Sequence, residues 1–171
     1  MPEAVQPTRS PAPAATVHAS AVLVGPRAVL IRGPAASGKS SLALGLLNAA
    51  KQGLVRFSRL VTDDRAELEA CHGRLVVRPP AAIEGMIEIR GLGIHRLPFE
   101  PMAVIGLVVD LAASDAERLP PLETRHVEIE GIRVARLAVR AGAAPLSLVL
   151  QAVGLAGSDP AEKLSPIALQ T

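Results

Sequence analysis

The chain has 171 residues, of which 49% are hydrophobic and 1% aromatic, and its formal net charge is +2. This length and composition predict one globular domain with an aliphatic core. Lys and Arg form no run beside stacking aromatic residues, so we expect no nucleic-acid partner. The single cysteine excludes an intramolecular disulfide, and no apolar run has the length of a membrane span. We therefore expect a cytoplasmic protein without a membrane partner.

The two ends of the chain differ in composition from its middle. Residues 1–17 are rich in Pro and Ala and are predicted to form a flexible N-terminal tail. Residues 158–171 are expected to form a loose C-terminal tail. A catalytic domain is therefore expected over residues 18–157, opening with strands over 18–24 and 27–32 that flank a tight turn.

The second strand leads into the most informative stretch of the chain. It fits the pattern G-x-x-x-x-G-K-[ST] of a phosphate-binding P-loop, with the residues Gly33, Pro34, Ala35, Ala36, Ser37, Gly38, Lys39 and Ser40. The glycines let the backbone approach phosphate oxygens, and the backbone N–H groups form an anion nest. Lys39 supplies a charge for the β- and γ-phosphates, and the Ser40 hydroxyl is a ligand for Mg²⁺. Helix-forming residues follow from Ser41 up to a predicted stop at Gly53, so the motif has its strand–loop–helix context and predicts ATP binding with Mg²⁺.

Two adjacent carboxylates follow the next predicted strand, over residues 59–62. Asp63 and Asp64 would lie at the carboxyl end of that strand, where open α/β sheets bind ligands and where a Walker-B-type aspartate meets the metal. The alternative is a solvated turn, which is what most Asp pairs form. After a P-loop, we favour a functional site.

The remaining elements complete the fold prediction. Strands are expected over 74–77, 86–89 and 104–111, then a two-sided antiparallel pair over 126–130 and 132–140, and a final helix over Pro145–Leu155. The predicted fold class is α/β, a P-loop kinase-like sheet with flanking helices and mixed or partly antiparallel strands. Glu88 and Arg90 are two residues apart and would share one strand face, either as metal and phosphate ligands or as a surface ion pair. From these two residues alone, the ion pair is favoured.

Taken together, these residues resemble the catalytic domain of HPr kinase/phosphorylase, which phosphorylates a serine of the phosphocarrier protein HPr. The resemblance covers about residues 18–155. His18 lies fifteen residues before Gly33, as an active-site histidine does in that family, and Leu60-Val61-Thr62-Asp63-Asp64 is similar to the family's Leu-Val-Ala-Asp-Asp. The most specific match is a signature stretch formed by Glu88, Ile89, Arg90, Gly91, Leu92, Gly93 and Ile94. An active-site arginine of the family falls on Arg118.

The resemblance implies a role for each of these positions. Lys39 and the 33–41 stretch would hold the triphosphate of ATP, and Ser40 and Glu88 would contact Mg²⁺. Asp63 and Asp64 would supply the acid/base carboxylate, without an indication of which one does so. His18 and Arg118 would contact phosphate. The resemblance also implies an HPr-like phosphocarrier as the partner and a homo-oligomer, since the family forms hexamers.

The sequence departs from the family pattern at several positions. The family's amino-terminal domain has no counterpart, so we expect the short form of the enzyme. Ala35-Ala36 stand where the family has Ser-Gly, and Ser41 stands where it has Glu. In the stretch tied to dephosphorylation, Ala143 stands where the family has its second Arg. We therefore expect a protein-serine kinase with weak reverse phosphorolysis. The alternatives are a P-loop kinase for a small molecule and a nucleotide-binding regulator without turnover.

Overall fold

A computed structural model describes residues 16–155. The strands are β1 (Thr16–Val24), β2 (Arg27–Arg32), β3 (Ser58–Thr62), β4 (Arg65–Cys71), β5 (Arg74–Arg78), β6 (Met86–Ile89), β7 (Gly93–Arg96), β8 (Ala103–Leu111), β9 (His126–Ile129) and β10 (Ile132–Val139). Helix α1 (Lys39–Lys51) joins β2 to β3, and helix α2 (Pro145–Leu155) follows β10. Short 3₁₀ turns lie at Ala81–Ile83 and Leu122–Arg125.

The central sheet is mixed. Its strand order is β3-β1-β2-β8-β10-β9, in which β2–β8 and β8–β10 are parallel pairs and the other pairs are antiparallel. Because β3 and β2 are both antiparallel to β1, they run in the same direction. The carboxyl ends of β2, β3, β8 and β10 therefore lie at one edge of the sheet, and the 33–40 loop leaves β2 from that edge.

A smaller antiparallel layer closes the other side of the molecule. The first residues of β1 pair with β4, β4 pairs with β5, and β5 pairs with the first residues of β8. Strands β1 and β8 thus belong to both layers. Strand β4 was not among the predicted elements, and its Ala, Glu and Leu residues favour helices more than strands. There the pairing with two neighbouring strands decides the conformation.

Two aliphatic clusters fill the space on the two faces of the central sheet. One packs α1 and α2 against the sheet and includes Leu46, Val149 and Ile31. The other lies between the sheet and the β4–β5 layer and includes Leu30 and Val108. Neighbouring residues of β2 point to opposite clusters, as the alternation of a strand requires. This arrangement holds the carboxyl edge of β2 rigidly between two packed faces.

Most predicted elements are confirmed, including the α/β class with a mixed sheet, the antiparallel β9–β10 pair and the bounds of α2. Gly53, just after α1, has a φ of 72°, the conformation of a helix stop. Strand β1 begins at Thr16, so the last two residues of the predicted N-terminal tail are in a strand. Residues 1–15 and the predicted tail over 158–171 lie outside the described residues.

The strand predicted over 86–89 has its expected bounds, but the expectation about Glu88 and Arg90 was wrong. Strand β6 ends at Ile89, and Arg90 lies in the turn to β7, so Glu88 and Arg90 do not share a strand face. The cause is the glycine pair of the signature stretch. Gly91 and Gly93 have φ values of 82° and 86°, which turn the chain into a β6–β7 hairpin. Among residues 16–155, neither helix is long and apolar enough to cross a membrane.

Candidate active site

The loop between β2 and α1 has the backbone of an anion cradle. Gly33, Ala36 and Gly38 all have positive φ, at 151°, 61° and 97°. A Cβ at position 33 would lie 2.6 Å from the Ser37 Oγ and 3.0 Å from the Leu111 carbonyl oxygen, so only glycine fits. Ala36 adopts a left-handed conformation that an L-residue rarely takes, at the position where the resemblance has glycine. Such reversals of φ direct successive N–H groups toward one concave surface.

The polar groups of the loop turn inward. Lys39 is the first residue of α1 and is 7% exposed, and its ammonium donates to the carbonyl oxygens of Gly33 and Pro34 at 3.1 and 3.0 Å. Helix α1 has no side-chain N-cap and no acidic residue in its first turn, which leaves its N-terminus suited to an anion. The Ser37 hydroxyl is buried and has no hydrogen-bond partner among the described residues. These features fit a bound phosphate. Four other residues of the predicted nucleotide-binding stretch are exposed: Pro34, Ala35, Ala36 and Ser41.

Asp63 is the centre of a buried polar cluster beside this loop. The residue is 4% exposed and directly follows β3. The Ser20 hydroxyl donates to Oδ1 at 2.6 Å, and the Ser40 hydroxyl lies 3.0 Å from both carboxylate oxygens. The backbone N–H of Glu88 donates to Oδ2 at 3.2 Å. Thus β1, α1 and β6 each contribute one group around Asp63, which directly follows β3. Ser20 was not among the predicted site residues, although a hydroxyl residue within an apolar strand was a usable signal in the sequence.

Asp64 faces a different way from its neighbour. Its backbone has a φ of 69°, its side chain is 71% exposed, and its Oδ1 lies 3.3 Å from the Nε2 of His18 on β1. The left-handed turn at Asp64 therefore directs one carboxylate inward to Ser40 and the other outward to His18. An exposed polar contact of this kind adds little to stability. Asp64 is accessible to a second molecule, whereas Asp63 is not.

The signature stretch, residues 88–94, forms the tip of the β6–β7 hairpin. Glu88 donates its backbone N–H to Asp63, but its own side chain is exposed, as is that of Arg90. Leu92 and Ile94 are 71% and 72% exposed. The signature stretch therefore joins the Asp63 cluster through the backbone of its first residue. Ile89 is partly buried against the core, and the other side chains of the stretch are exposed.

Arg118 lies apart from the Asp63 cluster. It is exposed and lines a cavity of about 250 Å³ with Arg140 and Ala143. A neighbouring cavity of about 500 Å³ shares Arg140 and Ala143 with it and is lined on its other side by residues 34–37. Within residues 16–155, no hydrogen bond or ion pair joins Arg118 to Asp63, Asp64 or His18. The structure thus brings together six groups of the candidate site: His18, Lys39, Ser40, Asp63, Asp64 and the Glu88 backbone. Arg118 lies outside this region, on a cavity that adjoins the one lined by the loop.

A charged network that the sequence analysis missed crosses the same edge of the sheet. Arg32, directly before Gly33, forms a bidentate pair with Asp110 at 2.7 and 2.8 Å, and the Arg136 Nε donates to the same carboxylate at 2.6 Å. Arg136 then forms a second bidentate pair with Asp115, at 2.6 and 3.0 Å. Burial raises the pKa of Asp110, but the hydrogen bonds and charges of both arginines outweigh it and hold that pKa below its usual range. The signal in the sequence that could have indicated this network was a charged residue near the end of each of two apolar strands.

We expect this network to contribute to the free energy of unfolding. Replacing Asp110 by Asn should lower the free energy of unfolding at pH 7 by about 1–3 kcal/mol, because two half-buried guanidinium groups lose their shared partner. The folded pKa of Asp110 lies below its unfolded value. The stabilisation is therefore present above the unfolded pKa and is lost as the pH falls through the lower folded pKa.

Urea unfolding of the wild-type chain and Asp110→Asn, at neutral pH and at a series of values below about pH 4, measures this effect. The difference between the two proteins should shrink as the pH falls. A difference that is the same at every pH would show that the charge of Asp110 is not its cause.

The site contains oxygen atoms of the kinds that bind Mg²⁺ together with a nucleotide. Ser40 and Asp63 offer a hydroxyl and a carboxylate oxygen, and the exposed Glu88 carboxylate lies on the residue whose N–H contacts Asp63. Mg²⁺ prefers such hard oxygen ligands and completes its shell with phosphate oxygens and water. Within the described part of the chain, no three His, Cys, Asp or Glu side chains are close enough to hold a metal by themselves. The residues therefore fit a metal that arrives with a nucleotide.

Comparison with known proteins agrees with this geometry. The family model described as HPr Serine kinase C-terminal domain matches residues 9–154. A protein of Geobacillus thermodenitrificans named HPr kinase/phosphorylase is 34% identical in an alignment of 139 residues that covers 75% of this chain and 43% of the relative. A Clostridium beijerinckii protein of the same name is 40% identical over 83 residues, which are 48% of this chain and 25% of the relative. The chain thus spans less than half the length of these curated relatives.

A solved structure supports the same assignment. The Hpr(Ser) kinase/phosphatase from Coxiella burnetii is similar with a TM-score of 0.68 and 27% sequence identity, covering 84% of this chain and 96% of that one. Sequence and fold thus agree over most of the described residues. The chain belongs to the HPr serine kinase C-terminal domain family, and the relatives that it matches are phosphotransferase enzymes.

Proposed function

We propose that this chain is an ATP- and Mg²⁺-dependent protein-serine kinase whose substrate is HPr or a related phosphocarrier protein of the phosphotransferase system. The observation that carries the proposal is the link from the Ser40 hydroxyl, at the start of α1, to the buried Asp63 carboxylate. In P-loop nucleotide hydrolases and kinases, a loop Ser or Thr and an Asp at a strand end together hold the metal. Membership of the family adds the HPr substrate.

The residues of the site divide into two groups by accessibility. Asp63 is buried and fully engaged, so we assign it the metal side of the site, where it orients Ser40. Asp64 is exposed beside His18, so we assign it the role of general base for the acceptor serine. Lys39 and the loop N–H groups would hold the triphosphate. His18 and Arg118 are proposed to contact phosphate.

The proposed reaction needs little covalent work from the protein. As the serine oxygen bonds to the γ-phosphorus, the bond from phosphorus to the ADP oxygen breaks and the serine proton passes to the Asp64 carboxylate. Lys39 and the N-terminus of α1 stabilise the negative charge on the phosphate oxygens. Bound Mg²⁺ would neutralise part of the same charge. Positioning and electrostatics therefore account for the catalysis, as phosphoryl transfer requires.

The test is incubation of the 171-residue chain with γ-labelled ATP, Mg²⁺ and purified HPr, followed by location of the label. We expect label on one serine of HPr. Label on a small molecule added in place of HPr would favour a P-loop small-molecule kinase. Nucleotide binding without any transfer would favour the non-catalytic regulator. The accessible Asp64 speaks against the regulator, because a sensor needs Lys39 and Ser40 but no base.

Glu88 offers a separate prediction on the metal. Glu88→Gln should raise the Mg²⁺ concentration for half-maximal activity by about tenfold, since one hard anionic oxygen becomes a neutral amide. Thermal stability should change little, because the side chain is exposed and the backbone N–H to Asp63 is kept. Glu84→Gln, at an exposed position before β6, is the matched control. An unfolded Glu88→Gln protein would mean that Glu88 is structural.

A further prediction concerns the rate of the reverse reaction, the phosphorolysis of phospho-HPr. Ala143 lines both cavities next to the loop, at the position where the family resemblance has its second arginine. Without that cation, inorganic phosphate should be held weakly, and phosphorolysis of phospho-HPr should be slow relative to the forward reaction. The measurement is pyrophosphate release from phospho-HPr over a range of phosphate concentrations. Efficient release would contradict the prediction.

A further inference from the structure

The segment between β8 and the second 3₁₀ turn, residues 112–121, is anchored at three points to β10 and to Arg140, the residue that follows it. The Ala113 N–H donates to the Val139 carbonyl at 3.0 Å. Arg140 donates to the Ala116 carbonyl at 3.3 Å, and the guanidinium of Arg136 forms its bidentate pair with Asp115. Only the third anchor joins two side chains with a geometry that fixes direction as well as distance.

Arg136 is itself held from inside the protein. Its side chain is 14% exposed, and its Nε donates to Asp110, which Arg32 engages from β2. The Nη atoms are therefore already aimed outward before they meet Asp115. A half-exposed carboxylate usually gains little from an ion pair, because both side chains must be ordered. Here one partner is already ordered, so the pair can hold the segment.

The anchored segment forms part of the walls of both cavities beside the 33–40 loop. Ala116, Glu117 and Arg118 line the smaller cavity, and Ala112 lines the larger one opposite residues 34–37. We infer that Arg136 is a positioning residue. Through Asp115 it fixes residues 112–121, and so sets where Arg118 stands relative to the phosphate-binding loop. The inference rests on the proposed function for its effect on phosphotransfer.

Two variants separate this role from simple stabilisation. Arg136→Lys keeps a positive charge next to Asp110 but cannot donate to Asp110 and grip both Asp115 oxygens at once. Asp115→Asn leaves the contacts of Arg136 with Asp110 intact. Arg133→Gln is the control, because Arg133 is exposed on the same strand and contacts His126 instead of the 112–121 segment.

The readouts are thermal stability, amide hydrogen exchange of residues 112–121, ATP affinity, and kcat and KM for transfer to HPr. In Arg136→Lys and Asp115→Asn we expect exchange of the segment about tenfold faster and kcat about tenfold lower. ATP affinity should stay within about twofold, and the double variant should be no worse than either single one. Arg133→Gln should match the wild type in every readout.

Three results would overturn the inference. They are unchanged exchange in Asp115→Asn, faster exchange with normal kcat, and additive losses in the double variant. Failure of the proposed function is distinguishable from all three. If the wild-type chain transfers no phosphoryl group, the kinase assignment is wrong, while the exchange data still decide whether Arg136 anchors the segment.

Discussion

Lys39→Ala is expected to reduce phosphotransfer by at least about 10²–10³-fold in kcat, the usual cost of removing one preorganised donor from a charged transition state. Lys39 is suited to this role because the residue is 7% exposed and its ammonium already points into the loop, toward the Gly33 and Pro34 carbonyls. Its partners are backbone oxygens of the loop instead of apolar core atoms. The variant should therefore fold, with a loss of about 1–2 kcal/mol from the two hydrogen bonds.

The measurement is kcat and KM for ATP, together with the unfolding midpoint, for Lys39→Ala and a matched control. Lys51→Ala suits the control because Lys51 is exposed in the last turn of the same helix. It removes the same charge from α1 at the end away from the loop. If Lys39→Ala kept the activity of Lys51→Ala, the assignment of residues 33–40 to phosphate binding would be wrong.

Asp64→Asn is expected to remove most of the turnover while ATP binding survives. A serine hydroxyl is a poor nucleophile at neutral pH, and a positioned base typically contributes about 10²–10⁴-fold. Asp64 is exposed and close to His18, so it can meet the serine of a protein substrate. The asparagine keeps the shape of the side chain but cannot accept the serine proton.

Asp63→Asn should behave differently from Asp64→Asn. Asp63 accepts hydrogen bonds from Ser20, Ser40 and the Glu88 N–H, so its loss of charge should raise the Mg²⁺ requirement. It should also lower the free energy of unfolding by about 1–3 kcal/mol, since those donors lose a charged acceptor. The two neighbouring aspartates would thus be separated by metal dependence and stability.

The experiment measures ATP affinity, phosphotransfer at several Mg²⁺ concentrations and urea unfolding for both variants. Glu130→Gln is the control, because Glu130 is another exposed acidic residue with a positive φ, 51°, in a turn. Near-normal transfer by both aspartate variants would reduce the pair to a solvated turn. In that case the assignment of Asp64 as the general base would be wrong.

Local sequence determined the elements that carry the candidate site. The apolar run of β2, the glycines at 33 and 38 and the helix formers after Ser40 are all close in the chain, so strand, loop and helix could be predicted together. The same holds for Asp63 at the end of β3. These features depend on backbone conformation and short-range periodicity, which neighbouring residues fix.

Long-range pairing decided what local sequence could not. Strand β4 has helix-forming residues and is a strand because β1 and β5 flank it. Ser20 meets Asp63 from 43 positions away, and Arg32 meets Asp110 from 78. No periodicity encodes such distances, because they follow from the order in which strands pair across the sheet.

The different surroundings of Asp63 and Asp64 show most clearly what the sequence alone does not determine. The sequence determined that two carboxylates end a strand next to a phosphate-binding motif. Tertiary structure decided that the first is enclosed by β1, α1 and β6, while a left-handed turn exposes the second to His18. The physical reason is that burial and accessibility belong to the packed assembly of elements, whereas residue order and backbone propensity belong to the chain itself.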